Sequence, residues 1–299
     1  AKIARALSEK HILFSFADAE TDLHRFPALI LSDCCRLDEA ECAKIRQYVA
    51  DGGKIYASAD SSLYDPVQGI RKDFALADVF GVHTDGKITQ KVTYIAPTKT
   101  ASPLSSYCKR TSPIMLEGAQ TMISTATAEV LGTLTLPCSD PAEKNRFGSA
   151  ISNPPCVWTN APALTRHRYG KGEALYCAGR LEENEYQFQR NVFADLVGGL
   201  SGTMVQTDAA PWVEVTLFDL PEENRLLLSF LNKPTDLPPA PLFGIGTVIR
   251  LPKHYQIQKI LLAPEETEIP SRKKENGLVF KLRKLEEFTM VLIVYSPNK

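Results

Sequence analysis

The side chains in this chain that could do chemistry are acidic, hydroxyl and thiol groups that follow short apolar runs. Cys34 and Cys35 follow one such run, and Asp60, Ser61 and Ser62 follow the next. In open parallel sheets, ligands bind outside the carboxyl ends of the strands, where such residues lie. A hydroxyl or thiol nucleophile there also needs an adjacent base to take its proton.

A hydrolytic triad could be assembled from Ser61, Asp65 and either His83 or His167, because triad members meet in space and not in sequence. Ser61 is not enclosed in a Gly-x-Ser-x-Gly turn, however. His167 lies between two arginines on a predicted strand, where an exposed position is typical. The sequence therefore singles out no triad.

Glycosidase chemistry requires two carboxyl groups that flank the scissile bond, roughly 5 to 9 Å apart. The most clustered acids are Glu182, Glu183 and Glu185. They precede a predicted helix, whose N-terminal dipole favours negative side chains. We therefore expect a structural role for this cluster.

The seven cysteines cannot all pair within one chain, and Cys34 and Cys35 lack the Gly-x-Cys-x-Gly setting of a catalytic thiol. We expect reduced cysteines that pack in the interior. No CxxC pair occurs and the five histidines are scattered, so we expect no metal site and no cofactor.

Charge and hydropathy restrict the partners. The 34 Lys and Arg residues balance 35 Asp and Glu residues, so we expect neither nucleic acid nor a membrane surface as a partner. No apolar run approaches the roughly 18 to 20 residues that span a bilayer, and the N-terminus lacks a leader pattern. We expect a cytoplasmic location and a solvated turn at the basic residues Arg272, Lys273 and Lys274.

Strands and helices alternate in the first two-thirds of the chain. Asp38 and Glu41 form a capping-box pattern at the start of one helix, and Gly52 and Gly53 mark its end. A hairpin is predicted around Gly170, and a long helix follows it. The predicted strands cover residues 12–16, 28–32, 54–59, 163–169 and 173–179, and the predicted helices cover residues 1–11, 38–53, 71–81 and 192–200. Between about residues 87 and 160, scattered β-like runs such as 91–96 and 129–136 predict an elaborated sheet edge.

Beyond about residue 205, only strand-like runs remain, separated by turn residues. Six such runs at this spacing predict a small antiparallel β-sandwich. The runs cover residues 213–220, 225–232, 247–252, 256–264, 277–285 and 288–296. We therefore expect two domains, residues 1–205 and residues 206–299.

Three strings carry a resemblance to a known family. They are GGKIYASADSSLYDPVQGIRKDFALADVFGV at 52–82, RYGKGEALYCAG at 168–179, and the pair RLLLSFLN and QIQKILLAP at 225–232 and 256–264. Together they resemble the trimerisation domain of β-galactosidases of glycoside hydrolase family 42 and related hypothetical glycosidases, followed by the C-terminal β domain. The resemblance runs over most of the chain.

The resemblance implies a flavodoxin-like, class I glutamine amidotransferase-like fold: an open parallel sheet with helices on both faces, followed by the antiparallel sandwich. In amidotransferases of this fold, a nucleophilic Cys follows one strand, and a His and a Glu follow another. The matching positions here hold Asp-Ser-Ser at 60–62 and Arg-Leu-Glu at 180–182. Both the thiol and the base are missing, so we expect no amidotransferase chemistry.

The function that the resemblance implies is that of the non-catalytic C-terminal portion of a β-galactosidase-like glycoside hydrolase. Its carboxylates belong to a (β/α)8 barrel of about 250 residues, for which this chain has no room. We expect an N-terminal truncation and a homo-oligomer, in the form of a trimer. Loops of this domain would wall the barrel's active site, with Asp60, Tyr64, Asp65 and Arg71 as substrate-contact candidates.

Two other functions compete with this interpretation. One is a stand-alone carbohydrate- or ligand-binding protein that uses the β-sandwich or the α/β crevice, for which Trp212 and Tyr255 are the aromatic candidates. The other is an enzyme that uses the amidotransferase-like fold with altered residues. The missing Cys and His disfavour it, although fold alone does not exclude it.

Overall fold

The structure is a computed structural model that describes residues 2–88, 90–98, 102–139, 145, 153–235, 238–252, 255–274 and 277–297. The helices are α1 (Lys2–Glu9), α2 (Glu39–Ala50), α3 (Ala77–Phe80) and α4 (Gln187–Ser201). The strands are β1 (Ala28–Leu31), β2 (Lys54–Ser58), β3 (Tyr64–Asp65), β4 (Gly69–Ile70), β5 (Val82–Ile88), β6 (Val92–Pro97), β7 (Ile114–Glu117), β8 (Gln120–Thr125), β9 (Glu129–Pro137), β10 (Pro155–Tyr169), β11 (Gly172–Cys177), β12 (Val205–Thr207), β13 (Val213–Leu220), β14 (Arg225–Asn232), β15 (Leu242–Ile249), β16 (Tyr255–Ala263), β17 (Thr267–Glu268), β18 (Ser271–Lys274), β19 (Gly277–Leu285) and β20 (Phe288–Pro297).

The chain divides into two compact units. One comprises residues 17–201, and the other comprises residues 3–16 together with residues 202–299. The first predicted domain included residues 3–16, which here group with the C-terminal strands. We refer to the two units as the α/β unit and the sandwich unit.

The α/β unit is built on a mixed seven-stranded sheet in the order β1-β2-β11-β10-β9-β6-β7. Strands β1, β2 and β11 are parallel, and the remaining neighbours are antiparallel. The α/β class is confirmed, but only part of the sheet has the predicted parallel arrangement. A turn of two residues joins β10 to β11, and such a short connection allows only antiparallel pairing.

Helices pack against both faces of the parallel part. Tyr56 of β2 contacts Phe193 of α4 edge to face, with ring centroids 5.1 Å apart. Tyr176 of β11 lies one position further along the register, on the opposite face, and its ring is 5.3 Å from that of Phe80 in α3. The aromatic rings thereby fix the helices on the sheet.

Three helices were predicted before residue 90. The N-terminal one is confirmed as α1, and the other two differ in outcome. Helix α2 is confirmed, including its capping box between Asp38 and Glu41. Helix α3 is shorter than predicted, because it begins only at Ala77. The amide groups of Ala75 and Leu76 donate to the Ser62 carbonyl and hydroxyl oxygens instead of to a preceding helical turn.

The predicted strand at residues 12–16 is wrong. This segment pairs with no strand among the described residues, and its Phe16 side chain is 85% exposed. It is tied to the sandwich unit, because Leu13 packs against the core of that unit and His11 Nε2 lies 3.3 Å from the Ala210 carbonyl oxygen. A short apolar run alone does not distinguish a strand from such a packed segment.

The sandwich unit consists of two antiparallel sheets, in the orders β12-β15-β19-β18 and β13-β14-β20-β16-β17. All six predicted runs contribute strands. Their inward side chains form one core, in which Leu228, Phe230, Phe280 and Ile293 are almost completely buried. The alternation of buried and exposed positions along β19 is the pattern that the sequence showed.

Two expectations about single residue types are wrong. Arg272, Lys273 and Lys274 are exposed as predicted, but they form edge strand β18 and not a turn. Basic side chains on an edge strand discourage pairing with other chains.

Cys138 and Cys156 form a disulfide with Cα atoms 4.5 Å apart, because β9 and β10 pair at Pro137 and Pro155. The other five cysteines are free thiols, as expected.

Among the described residues, no helix has the length and apolar character needed to cross a membrane. In the same part of the chain, no three His, Cys, Asp or Glu side chains are grouped closely enough to hold a metal ion.

Candidate functional site

Charged side chains meet where the parallel strands of the α/β unit end. Asp33 follows β1, Asp60 follows β2 and Arg180 follows β11. Because these three strands are parallel neighbours, their carboxyl ends lie at one edge of the sheet. Lys87 and Thr121 approach the same place from β5 and β8. We call these five residues the strand-end cluster.

The strand-end cluster is held together by direct contacts. Asp60 Oδ2 lies 2.7 Å from Lys87 Nζ, and Asp60 Oδ1 accepts a hydrogen bond of 2.8 Å from the Thr121 hydroxyl. Asp33 accepts a hydrogen bond of 3.1 Å from the Asp60 amide, and its other oxygen lies 3.4 Å from Arg180 Nη1. Burial raises the pKa of Asp33. The cluster thus presents two carboxylates beside two cations, groups that can bind hydroxyl groups.

Sharp backbone turns place these side chains. Asp33, Ala59 and Ser62 have positive φ angles of 44°, 47° and 66°. A left-handed conformation costs a non-glycine residue roughly 1–2 kcal/mol, and residues held in such regions are concentrated at ligand sites. The Ser61 hydroxyl stabilises the first of these turns. It accepts a hydrogen bond from the Cys34 amide, and it lies 2.9 Å from the Leu31 carbonyl oxygen, to which it can donate.

The adjacent hairpin, formed by β3 and β4, is braced by one ion pair. Asp65 Oδ2 lies 2.8 Å from Arg71 Nη2, and Asp65 Oδ1 accepts hydrogen bonds from the amides of Val67 and Gln68. The amides of Gln68 and Val67 lower the pKa of Asp65. Val67, in the turn of this hairpin, is 92% exposed, and Ile70, which pairs with Tyr64 in β4, is 67% exposed.

The four predicted substrate-contact residues therefore fall into two sets of contacts. Asp60 belongs to the strand-end cluster, and Tyr64, Asp65 and Arg71 belong to the hairpin. The Arg71 guanidinium also donates to the backbone carbonyls of Leu37, Ser62 and Tyr64. Asp65 and Arg71 are thus engaged in fixing the turn.

The hydrolytic triad considered from the sequence is not assembled. Ser61 is completely buried, and its hydroxyl bonds to backbone atoms. His83 Nδ1 lies 2.6 Å from Asp73, whereas His167 contacts the Val79 carbonyl and the Thr127 hydroxyl. Ser61, His83 and His167 thus have separate sets of contacts.

Glu182 has a role that the sequence interpretation missed. The sequence predicted a structural role beside the dipole of the following helix, but the Glu182 side chain is completely buried in the α/β unit. The hydroxyl groups of Ser32 and Tyr56 donate to its carboxylate at 2.7 and 2.8 Å, and the Ser58 hydroxyl donates to it as well. The signal in the sequence was its position shortly after the buried strand β11, which ends at Cys177.

The thiols near the site are not activated. Burial raises the pKa of Cys34. Burial also raises the pKa of Cys177, to about 12. A reactive thiol requires a lowered pKa, so both residues have the packing role expected from the sequence.

Both aromatic candidates of the sandwich unit make contacts with other residues of that unit. Trp212 is 49% exposed, and its indole nitrogen donates to Asn232 at 3.1 Å. Tyr255 packs edge to face on Tyr295, with ring centroids 4.8 Å apart.

Several solved structures with a similar fold are glycosidases. The chain is similar to alpha-L-fucosidase isoenzyme 2 from Paenibacillus thiaminolyticus, with a TM-score of 0.82 and 21% identity over 99% of this chain and 44% of that one. It is similar to the beta-galactosidase from Bacillus circulans sp. alkalophilus, with a TM-score of 0.65 and 14% identity over 98% of this chain and 37% of that one. For the beta-galactosidase from Rahnella sp. R3, the TM-score is 0.63 and the identity 18% over 99% and 36% of the respective chains.

The chain thus spans less than half the length of these solved proteins. No curated protein sequence matches it significantly. The family model described as "Beta-galactosidase trimerisation domain" matches residues 4–200, which include the strand-end cluster, the hairpin and the whole mixed sheet. The chain therefore belongs to the beta-galactosidase trimerisation domain family.

Proposed function

We propose that this chain is the assembly portion of a β-galactosidase-like glycoside hydrolase and that it performs no hydrolysis by itself. The observation that carries the proposal is the match of residues 4–200 to the trimerisation domain family. The partial coverage of the solved glycosidases agrees with a portion of a longer enzyme. Its partner is a second and a third copy of the same chain.

The hairpin of β3 and β4 is the contact that we assign to this assembly. It lies within the matched residues, and its Val67 is almost entirely exposed and its Ile70 about two-thirds exposed. Exposed apolar side chains on a rigid element favour association, because little conformational entropy is lost when they bind. The ion pair between Asp65 and Arg71 holds the hairpin in one conformation before it binds.

The experiment is a light-scattering measurement of mass on the chain with Val67→Asp and Ile70→Asp together. We expect the dissociation constant of the oligomer to be at least about tenfold higher than for the unmodified chain. The reason is that a buried unpaired charge destabilises an apolar contact. The matched control is Phe243→Asp, since Phe243 is similarly exposed at 71% but lies in the sandwich unit. Equal masses for the double variant and the control would contradict the assignment.

The proposal includes a second role for the strand-end cluster, which is to wall the active site of the barrel. Supporting this role, Asp60 and its neighbours lie at the carboxyl ends of parallel strands, where ligands of open α/β sheets bind. Of the four predicted contact residues, Asp60 and Tyr64 are the better candidates. The side chains of Asp65 and Arg71 are 11% and 15% exposed and bind each other.

We also propose that the parallel part of the sheet is of the flavodoxin-like, class I glutamine amidotransferase-like type. The order β1-β2-β11, with helices on both faces, supports this kinship. So does the positive φ of Ala59, directly before Asp60 at the position that resembles the nucleophile turn. The buried Glu182 network would then occupy the former catalytic position after β11.

A further inference from the structure

We propose that a cleft in the α/β unit binds a neutral polyhydroxylated molecule of the size of one sugar ring. The cleft lies between α4, the hairpin of β10 and β11, and the segment 103–107, and its volume is about 290 Å³. Small-molecule sites begin at roughly 300 Å³, so the cleft suits a single ring and excludes an oligosaccharide. This proposal does not depend on the assembly role.

The polar groups of the cleft suit hydroxyl groups. Arg166, Glu173, Asp195 and Tyr107 line it. The Arg166 Nε atom is buried and has no hydrogen-bond partner among the described residues, since the Glu173 carboxylate lies 3.7 Å away. The Arg166 and Glu173 side chains are 37% and 27% exposed, so a ligand hydroxyl could accept from the guanidinium and donate to the carboxylate. Such a paired arrangement satisfies both groups at once.

The opposite wall holds Tyr107 in place. Its hydroxyl donates to Asp195, and its ring packs edge to face on Phe188 at 6.1 Å. Burial, together with the hydrogen bond to Asp195, raises the pKa of Tyr107 to about 12, so that the phenol keeps its proton. This pair therefore presents a fixed hydroxyl and a carboxylate to the cleft.

Apolar side chains complete the lining. Leu175, Leu196 and Leu200 offer carbon surface on which the C–H face of a sugar ring can pack. The cleft has two carboxylates and one cation, so an anionic ligand is disfavoured, and the Arg166 guanidinium repels a simple cation. A neutral ring with several hydroxyl groups uses all of these features.

Gly199 provides the test, because it lines the cleft from α4 and a Cβ atom there would meet nothing within 4 Å. Gly199→Leu places a side chain in the cleft, whereas Gly199→Ala makes the same helix-favouring change without filling it. Binding of galactose and fucose to the chain is followed by NMR titration, with glucuronate as the charged comparator.

We expect saturable binding of at least one of the two neutral sugars to the unmodified chain and to Gly199→Ala. We expect binding at least about tenfold weaker to Gly199→Leu, and weaker binding of glucuronate. Absence of saturable binding to the unmodified chain, or equal binding to both Gly199 variants, would overturn the proposal.

A second pair of variants covers the case in which Gly199→Leu does not fold. Arg166→Gln removes the guanidinium from the cleft, and Arg168→Gln removes one from an exposed position two residues further along β10. We expect weaker binding only for Arg166→Gln. Failure of this site would leave the oligomeric mass unchanged, so it is distinguishable from failure of the assembly role.

Discussion

Glu182 is the residue whose environment departs most from the surface position expected of an acid. Three hydroxyl groups, from Ser32, Tyr56 and Ser58, surround its buried carboxylate. Burial raises the pKa of Glu182 even though these hydrogen bonds oppose the shift. The three donors come from β2 and from the segment after β1, so the carboxylate ties together the carboxyl ends of neighbouring strands.

The raised pKa of Glu182 sets the direction of a pH effect. Its contribution to stability is fully present below the ordinary pKa of a glutamate and is lost as the pH rises through the higher pKa of the folded state. We expect the free energy of unfolding of Glu182→Gln, relative to the unmodified chain, to increase between about pH 5 and about pH 8. Denaturant unfolding at both values measures this difference.

Glu182→Ala is the matched comparison. It leaves three buried hydroxyl groups without their acceptor, so we expect a loss of about 3 kcal/mol. If the stability of Glu182→Gln relative to the unmodified chain were the same at both pH values, the buried carboxylate would not titrate as the structure indicates.

At the residue scale, the sequence predicted which turns carry the polar side chains but not which partners they find. Asp60 was identified by its place after a strand. Asp33 and Arg180 were recognised as members of the strand-end cluster only from the strand order of the folded sheet. Their separation along the chain, about 30 and 120 residues from Asp60, hides the proximity. Only the parallel pairing of β1, β2 and β11 reveals it.

The disulfide between Cys138 and Cys156 shows the same limit at the scale of elements. Seven cysteines gave no pairing pattern, and the two partners became neighbours only because β9 and β10 pair there. The cytoplasmic location expected from the sequence stays a prediction. A persistent disulfide would favour an oxidising compartment instead.

Removal of this disulfide is expected to destabilise the α/β unit. The bond closes a loop between residues 18 positions apart, and a loop of about 15 residues corresponds to roughly 3 kcal/mol of unfolded-state entropy. We expect Cys138→Ser with Cys156→Ser to lower the midpoint of thermal unfolding, and dithiothreitol to do the same to the unmodified chain. A reductant effect of equal size in the double variant would show that another group is responsible.

The elements predicted best are those whose ends are marked by specific residues in the sequence. Helix α2 has its capping box, and the β10–β11 hairpin has its glycine turn. Helix α3 and the segment 12–16 were predicted less well, because tertiary contacts decide them. The Ser62 turn takes the amides that would have lengthened α3.

At the scale of the whole molecule, the α/β class and the all-β C-terminal strands follow from periodicity. The antiparallel half of the mixed sheet follows in part: the runs of β6 and β9 were predicted as an elaborated sheet edge, but their order in the sheet was not. The grouping of residues 3–16 with the C-terminal unit was also hidden, because it joins the two ends of the chain.

Self-association is the property on which the proposed function depends. Sedimentation equilibrium over a wide range of concentrations measures it directly on the unmodified chain. We predict a species of three times the chain mass of 33.0 kDa at high concentration. A single species of 33.0 kDa at every concentration would contradict the assembly role.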